Sequence, residues 1–173
     1  MKLIIGLGNI GPDYILSRHN AGFLAIDWLA ERWGSGRWRT SLKLQAQIIK
    51  ATERDSILAK PDTMMNLSGH AARKLMHYYR LTPADLVVIH DDADLGFGDI
   101  RMVSSTQTGA GHHGVLSVIE HIGPGFKRIR IGIGRPDQPG RDISNYVLSR
   151  FSPDESAQLG QAFAAKLAKL ITG

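Results

Sequence analysis

Several polar side chains suited to acid–base chemistry lie just beyond apolar segments of this 173-residue sequence. Asn9 follows the first apolar run and Asp91 follows a later one, while His112 lies in a glycine-flanked loop before a predicted helix. Intervening loops add His19 and Asn66. A histidine that is neutral near pH 7, a carboxylate that orients it and amides that hydrogen-bond a substrate are the components of a hydrolytic site.

The sequence offers no evident nucleophile for covalent catalysis. Cysteine is absent, and Ser17, Ser68 and Ser117 lack the glycine pattern of a nucleophile elbow. Water activated by a histidine is therefore the simplest attacking group. A structural role is the alternative for the same residues, since His19 could brace the following helix and Asp91 could form a turn.

Metal chemistry is disfavoured by the spacing of possible ligands. His112 and His113 are adjacent and cannot both face one ion comfortably, and no third ligand is spaced for zinc. The acidic residues Asp91, Asp92 and Asp94 follow a predicted strand, which is compatible with Mg²⁺ binding or with simple turn formation. We therefore expect no metal site.

A glycine pattern near the amino terminus suggests a competing function. Gly6, Gly8 and Gly11 match the GxGxxG signature of dinucleotide-binding folds. In those folds the third glycine opens a helix, whereas Gly-Pro-Asp at 11–13 is turn chemistry. No acidic residue follows on a second strand to hold a ribose, because Asp27 lies within the predicted helix. An NAD-dependent oxidoreductase is therefore the weaker interpretation.

Composition and charge narrow the class of protein. Hydrophobic residues make up 43% and charged residues 21% of the sequence, as in folded soluble domains. The formal net charge of +5 favours a polyanionic partner such as RNA, although a solvated basic surface explains it equally well. No segment has the apolar length of a signal peptide or a membrane span, so we expect a cytoplasmic protein without a membrane partner.

Strands alternating with helices predict a single α/β domain over residues 1–173. Its centre should be a mixed, twisted sheet with helices on both faces, and sites in such folds form beyond strand ends. The predicted strands are 2–7, 44–50, 56–59, 86–89, 100–103 and 128–133, and the predicted helices begin near Asn20, Asn66, Val115 and Ser152. Asn20 and Ser152 are expected to act as N-caps.

Seven motifs together resemble one known family. They occur in the order and roughly the spacing of bacterial-type peptidyl-tRNA hydrolases, between Lys2 and about Phe151. The motifs are GLGNIGPDY, SRHNAGF, KPDTMMNLSG, HDDADLGFG, GAGHHG, RIRIGIGRP and YVLSRF. The resemblance implies a monomeric α/β domain, without cofactor or metal, that cleaves the ester between a nascent peptide and the terminal ribose of tRNA.

The resemblance also implies roles for individual residues. His19 would be the catalytic base, and Asp91 would fix its tautomer and orientation. Because the base must be neutral, activity should fall as the pH drops below about 6.5. The remaining implied substrate contacts are Asn9, Tyr14, Met65, Asn66 and His112.

This sequence departs from the family pattern at four positions. Ile10 replaces a usual proline, and Leu116 replaces a residue that is often lysine. His113 stands where an asparagine usually contacts the peptide and helps to position water, and imidazole offers a different donor and acceptor geometry. Ser104 stands where some members carry a basic residue that grips the terminal phosphate of tRNA. In those members, this basic residue acts together with the counterpart of Arg130. Here Arg130 is present without it, so phosphate binding should be weaker.

These departures keep a second function open, that of a catalytically weak RNA-binding relative of the same family. The residues His19, Asp91, Asn9 and Asn66 argue against it, because a binding module has no physical need of a base and its orienting carboxylate. Hydrolysis of peptidyl-tRNA is the favoured prediction.

Overall fold

A mixed sheet forms the centre of the fold. The computed structural model describes residues 1–104, 111–136 and 142–172, and within them the sheet has seven strands. These are β1 Lys2–Gly6, β2 Ser35–Ser41, β3 Ala46–Ala51, β4 Ser56–Pro61, β5 Leu86–Asp92, β6 Ile100–Ser104 and β7 Lys127–Gly132.

The strand order places the earliest strand in the middle. The sheet runs β2-β3-β4-β1-β5-β7-β6. Strands β4, β1, β5 and β7 are parallel, whereas the pairs β2–β3, β3–β4 and β6–β7 are antiparallel. The predicted mixed sheet is therefore confirmed, and the carboxyl ends of four parallel strands meet at one edge.

Helices cover both faces of this sheet, as predicted. They are α1 Ala21–Trp33, α2 Ser68–Tyr79, α3 His113–Ile122, α4 Ile143–Leu148, α5 Pro153–Ala162 and α6 Ala168–Thr172. A π-helical turn at Phe163–Leu167 joins the last two. One apolar core lies between the sheet and α2 with α3, and the other lies beneath α1 and α4 to α6. Among the described residues, no helix has both the length and the apolar character needed to cross a membrane.

The central strands are buried because their sequences are apolar on both faces. Leu3, Ile4 and Ile5 of β1 and the run 86–89 of β5 are almost fully buried. Helix α1 approaches them closely at Gly22, where an added Cβ would collide with the carbonyl of Ile89. This contact holds the amino-terminal end of α1 against the strand ends.

The structure differs from the sequence prediction in several local details. Strand β2 and helix α4 were not predicted. Helix α1 does follow Asn20, but the side chain of Asn20 makes no capping bond. After Gly11 comes a 3-10 turn at Pro12–Tyr14 rather than a helix, which removes the dinucleotide-binding geometry. The polar loop beyond Ser104 lies outside the described residues.

Candidate active site

A cavity lies at the carboxyl ends of the parallel strands. Its volume is about 640 Å³. It is lined by the end of β5, by segments that follow β1, β4 and β5, and by residues of α4. The predicted site residues that line it are Asn9, His19, Met65, Asn66, Asp91, His112 and His113. The topology thus brings together seven of the nine predicted site residues.

His19 and Asp91 form the polar centre of this cavity. Nδ1 of His19 lies 3.0 Å from both carboxylate oxygens of Asp91, and the two side chains are 14% and 3% exposed. An ionised carboxylate only accepts hydrogen bonds, so Nδ1 carries the proton and donates it. Nε2 of His19 is then the basic nitrogen, and no hydrogen bond from the described residues occupies it.

The segment that carries His19 is anchored by the preceding residue. Arg18 donates two hydrogen bonds to the carboxylate of Glu155, both at 3.0 Å, and lies over the rings of Tyr146 and Phe151. A bidentate, stacked arginine is a geometrically specific contact. It ties the short 3-10 helix Arg18–Asn20 to the α4–α5 region.

His112 makes a second hydrogen bond to the same carboxylate. Its Nε2 lies 2.9 Å from Oδ1 of Asp91, and its Nδ1 accepts from the backbone N–H of Val115 at 3.3 Å. The Nδ1 acceptor role requires the proton on Nε2, so His112 donates to Asp91. His112 is also the N-cap residue of α3, which links that helix to β5.

Charge in this cluster is held on Asp91. Burial alone would raise the pKa of Asp91, but His112 and His19 together keep it well below the usual range of an aspartate. The adjacent His90 is buried, and its Nδ1 donates to the backbone carbonyl of Asp91 at 2.8 Å. Burial, with a smaller contribution from His112, lowers the pKa of His90 to about 3. His90 is therefore neutral at physiological pH.

Three hydrogen bonds fix Asn9 and leave its side-chain Nδ2 group available. Its backbone N–H donates to Oδ1 of Asn20 at 2.8 Å, and its carbonyl accepts from Nδ2 of Asn20 at 3.0 Å. Its side-chain Oδ1 accepts from the backbone N–H of Met65 at 2.7 Å. The Nδ2 group of Asn9 is left to face the cavity as a donor. Asn20 is a site residue that sequence reasoning assigned only to helix capping.

Met65, Asn66 and His113 differ in how far they face solvent. Met65 is 5% exposed and packs its side chain against Gly114. Asn66, in the 3-10 turn Met65–Leu67, and His113, the first residue of α3, are both exposed and line the cavity. Their amide and imidazole groups can therefore contact a molecule within it.

Two predicted site residues lie outside the cavity lining. Tyr14, in the 3-10 turn, is half-buried. Arg130 lies on β7, and its Nε donates to Oδ2 of Asp92 at 2.6 Å. Directly across the β6–β7 pair is Arg101, whose side chain is 63% exposed. Ser104, at the end of β6, is exposed as well.

The apolar rim of the cavity was not anticipated from the sequence. Met64, Ile143 and Leu148 each remain between 38% and 44% exposed and line the opening. The sequence analysis assigned no role to any of the three. Their exposure around a polar centre is the signal that separates them from the core.

A potential metal-ligand set was also missed. The sequence argument considered His112 and His113, but the structure groups His112 with His19 and Asp91, with one donor atom of each within 4.8 Å of the others. The nitrogens of both histidines that face Asp91 already donate hydrogen bonds to it. An ion there would have to displace both of those protons.

A mixed α/β sheet that presents a histidine–aspartate pair and an amide donor in a cavity at its strand ends defines a hydrolytic type of site. The family model described as peptidyl-tRNA hydrolase matches residues 3–172. The chain belongs to the peptidyl-tRNA hydrolase family, and the protein is a hydrolase.

Individual relatives agree along nearly the whole chain. The peptidyl-tRNA hydrolase of Brevibacillus brevis is 44% identical over 94% of this chain and 85% of its own length. That of Lactiplantibacillus plantarum is 43% identical over 97% of this chain and 90% of its own. The crystal structure of the Acinetobacter baumannii enzyme matches with a TM-score of 0.88 at 32% identity, covering 99% of this chain and 87% of that chain. The family and fold predicted from the seven motifs are confirmed.

Proposed function

We propose that the protein hydrolyses the ester that joins a peptide, or an N-blocked aminoacyl group, to the terminal ribose of tRNA. The observation that carries this proposal is the His19–Asp91 pair, with its 3.0 Å contact, inside an open cavity of a peptidyl-tRNA hydrolase family member. An ester is already activated toward attack, so a positioned water and a base suffice.

The first step is attack by water on the ester carbonyl. Nε2 of His19 takes a proton from water while the water oxygen bonds to the carbonyl carbon, which gives a tetrahedral intermediate and an imidazolium. The negative carboxylate of Asp91 stabilises this imidazolium through the Nδ1–H bond. Nδ2 of Asn9 and the amide of Asn66 donate to the substrate and to the developing oxyanion.

The second step breaks the bond to the ribose. The intermediate collapses, the C–O bond to the ribose oxygen breaks, and His19 returns its proton to that oxygen. The products are a free peptide carboxylic acid and tRNA with a free ribose hydroxyl, and the base is regenerated. His113 and Met65 would contact the peptide, Tyr14 would border the peptide and ribose side, and His112 would hold Asp91 in place.

A phosphate of the tRNA would bind at the edge of the sheet beside Arg130. Arg130 pairs with Asp92, and the exposed Arg101 faces it across β6–β7. Like charges directly opposite each other repel, so a phosphate between them would be favourable. Replacing Arg130 with Ala should raise KM and reduce the salt dependence of binding, with kcat little changed.

The test uses N-acetyl-aminoacyl-tRNA and free aminoacyl-tRNA with the native protein and with His19→Ala. Release of the acyl group from the blocked substrate alone, lost in the variant, is the expected result. The matched control is His77→Ala, which removes an exposed histidine of α2. Tight RNA binding by native protein and variant without ester cleavage would instead identify an RNA-binding relative.

We also propose that the protein acts as a monomer in the cytoplasm. Every side chain placed in the mechanism comes from one chain, and peptidyl-tRNA arises where translation takes place. Light scattering coupled to size-exclusion chromatography should give a mass near 19 kDa. A stable dimer would contradict the proposed monomer. Fractionation of cells would test the proposed cytoplasmic location.

A further inference from the structure

Asn20 is a buried polar residue for which the mechanism above has no role. It directly follows His19 in the chain and is 1% exposed. Its carboxamide makes two hydrogen bonds, and both go to the backbone of Asn9, at 2.8 Å and 3.0 Å. A single side chain therefore satisfies the N–H and the carbonyl of one residue, as a neighbouring strand would.

This arrangement substitutes for the sheet at the point where the sheet has ended. Strand β1 ends at Gly6, and Leu7 still donates to the carbonyl of Ile89 in β5. Asn9 lies beyond that last bond, yet it is 6% exposed. Buried backbone groups need partners, and leaving them unpaired is costly. Asn20 supplies both partners.

The side chain of Asn9 is then fixed by a third bond. Because Oδ1 of Asn9 accepts from Met65, the amide plane has one orientation, with Nδ2 as the remaining donor. The backbone bonds to Asn20 fix where that donor lies, and Asn20 is adjacent to His19. The separation between the base and the amide donor is therefore set by one buried carboxamide.

We infer that Asn20 is a positioning residue for the reaction and that it acts through Asn9. This inference rests on the proposed function, because it concerns the rate of ester hydrolysis. Helix capping does not account for Asn20, since its side chain makes no bond to the first turn of α1. Small displacements of a group that contacts the reacting atoms lower the rate steeply.

A double-mutant cycle tests this inference. Asn9→Ala, Asn20→Ala and the double variant are assayed with N-acetyl-aminoacyl-tRNA, and kcat is expressed per folded molecule at low temperature. We expect each single variant to lose about tenfold or more in kcat with KM within about twofold. The double variant should be no slower than Asn9→Ala, because Asn20 has nothing left to position.

A destabilised control separates positioning from stability. Ile57 is buried at the opposite end of the sheet, in β4, and Ile57→Ala should lower the melting temperature without changing kcat. Asn20→Ser, which supplies a hydroxyl that cannot span both backbone groups, provides a second variant and should also be slow. Multiplicative losses in the double variant, or native kcat in Asn20→Ala, would overturn the inference. An inactive native protein would refute the proposed function instead.

Discussion

His112 donates from Nε2 to the Oδ1 atom of Asp91 at 2.9 Å, and that same oxygen lies 3.0 Å from Nδ1 of His19. The carboxylate that orients the base therefore also holds the amino-terminal end of α3. This shared acceptor distributes one negative charge between two imidazoles. Changes at His112 can therefore alter the base through the carboxylate of Asp91, in addition to the direct contact between the two imidazole rings, whose centroids are 4.9 Å apart.

Removing the second donor should change how the rate depends on pH. In His112→Leu, which has no side-chain donor, the carboxylate of Asp91 keeps His19 as its one imidazole partner among the described residues and favours the protonated form of His19 more strongly. The acid limb of the kcat/KM profile should move to higher pH, with kcat at pH 8 within about tenfold of the native value. Steady-state assays from pH 5 to 9 measure this, and an unmoved limb would mean that the two histidines do not share the charge.

Replacing the carboxylate itself should be far more damaging. Asp91→Asn presents an amide that no longer selects the Nδ1–H tautomer of His19, and it cannot stabilise the imidazolium. We expect kcat to fall by about 10²-fold to 10⁴-fold with a smaller change in KM. Asp154→Asn, at an exposed position of α5, is the matched control. A loss of less than about fivefold would exclude Asp91 from the reaction.

His90 should make the fold sensitive to mild acid. Its pKa is lowered to about 3 by burial, so it stays neutral in the folded protein while a histidine in the unfolded chain is protonated below about pH 6.5. The unfolded state then binds more protons, and the free energy of unfolding falls as the pH falls below 6.5. Denaturant titrations should show that His90→Asn loses about 1–2 kcal/mol less than the native protein between pH 7 and 5.

The exposed His77→Asn is the control for that measurement. It should follow the native curve, because the side chain of His77 is exposed to solvent in the folded protein and is not buried by folding. If His90→Asn also follows the native curve, another group is responsible for the acid sensitivity.

His113 should influence turnover more than binding of the tRNA body. It is exposed in the cavity at the start of α3. His113→Asn supplies a shorter amide that can donate and accept at once, so kcat should rise by about twofold to tenfold or discrimination against free aminoacyl-tRNA should sharpen. An unchanged ratio of kcat/KM for the two substrates would show that the imidazole serves equally well.

The elements that the sequence predicted best are those with long apolar patterns. Strand β1 and the run 86–89 of β5 are continuous and branched, and they lie in the centre of the sheet. Strand β2 was missed because its side chains are mostly exposed at the sheet edge, so no alternation marks it. Helix α4 has six residues, which is too short for a helical period to emerge.

Within the site, residue types could be predicted but their connections could not. His19 and Asp91 are 72 positions apart, and their pairing depends on the strand order β1-β5. The bond from His112 and the backbone bonds from Asn20 leave no trace in local sequence, because both are tertiary contacts made by residues that also suit a helix start. The seven family motifs, and not local patterns, related these distant residues to one site.

Because β1 is the middle strand, the order of assembly differs from the order of the sequence. Residues 2–6 have no partner strand until 56–61 are available on one side and 86–92 on the other. Closing such long loops is entropically costly and slows folding. A nascent chain that has emerged only as far as α1 therefore holds Asn9 and His19 without a sheet to order them. The site is complete only once β5 and the start of α3 are in place, because these elements carry Asp91 and His112.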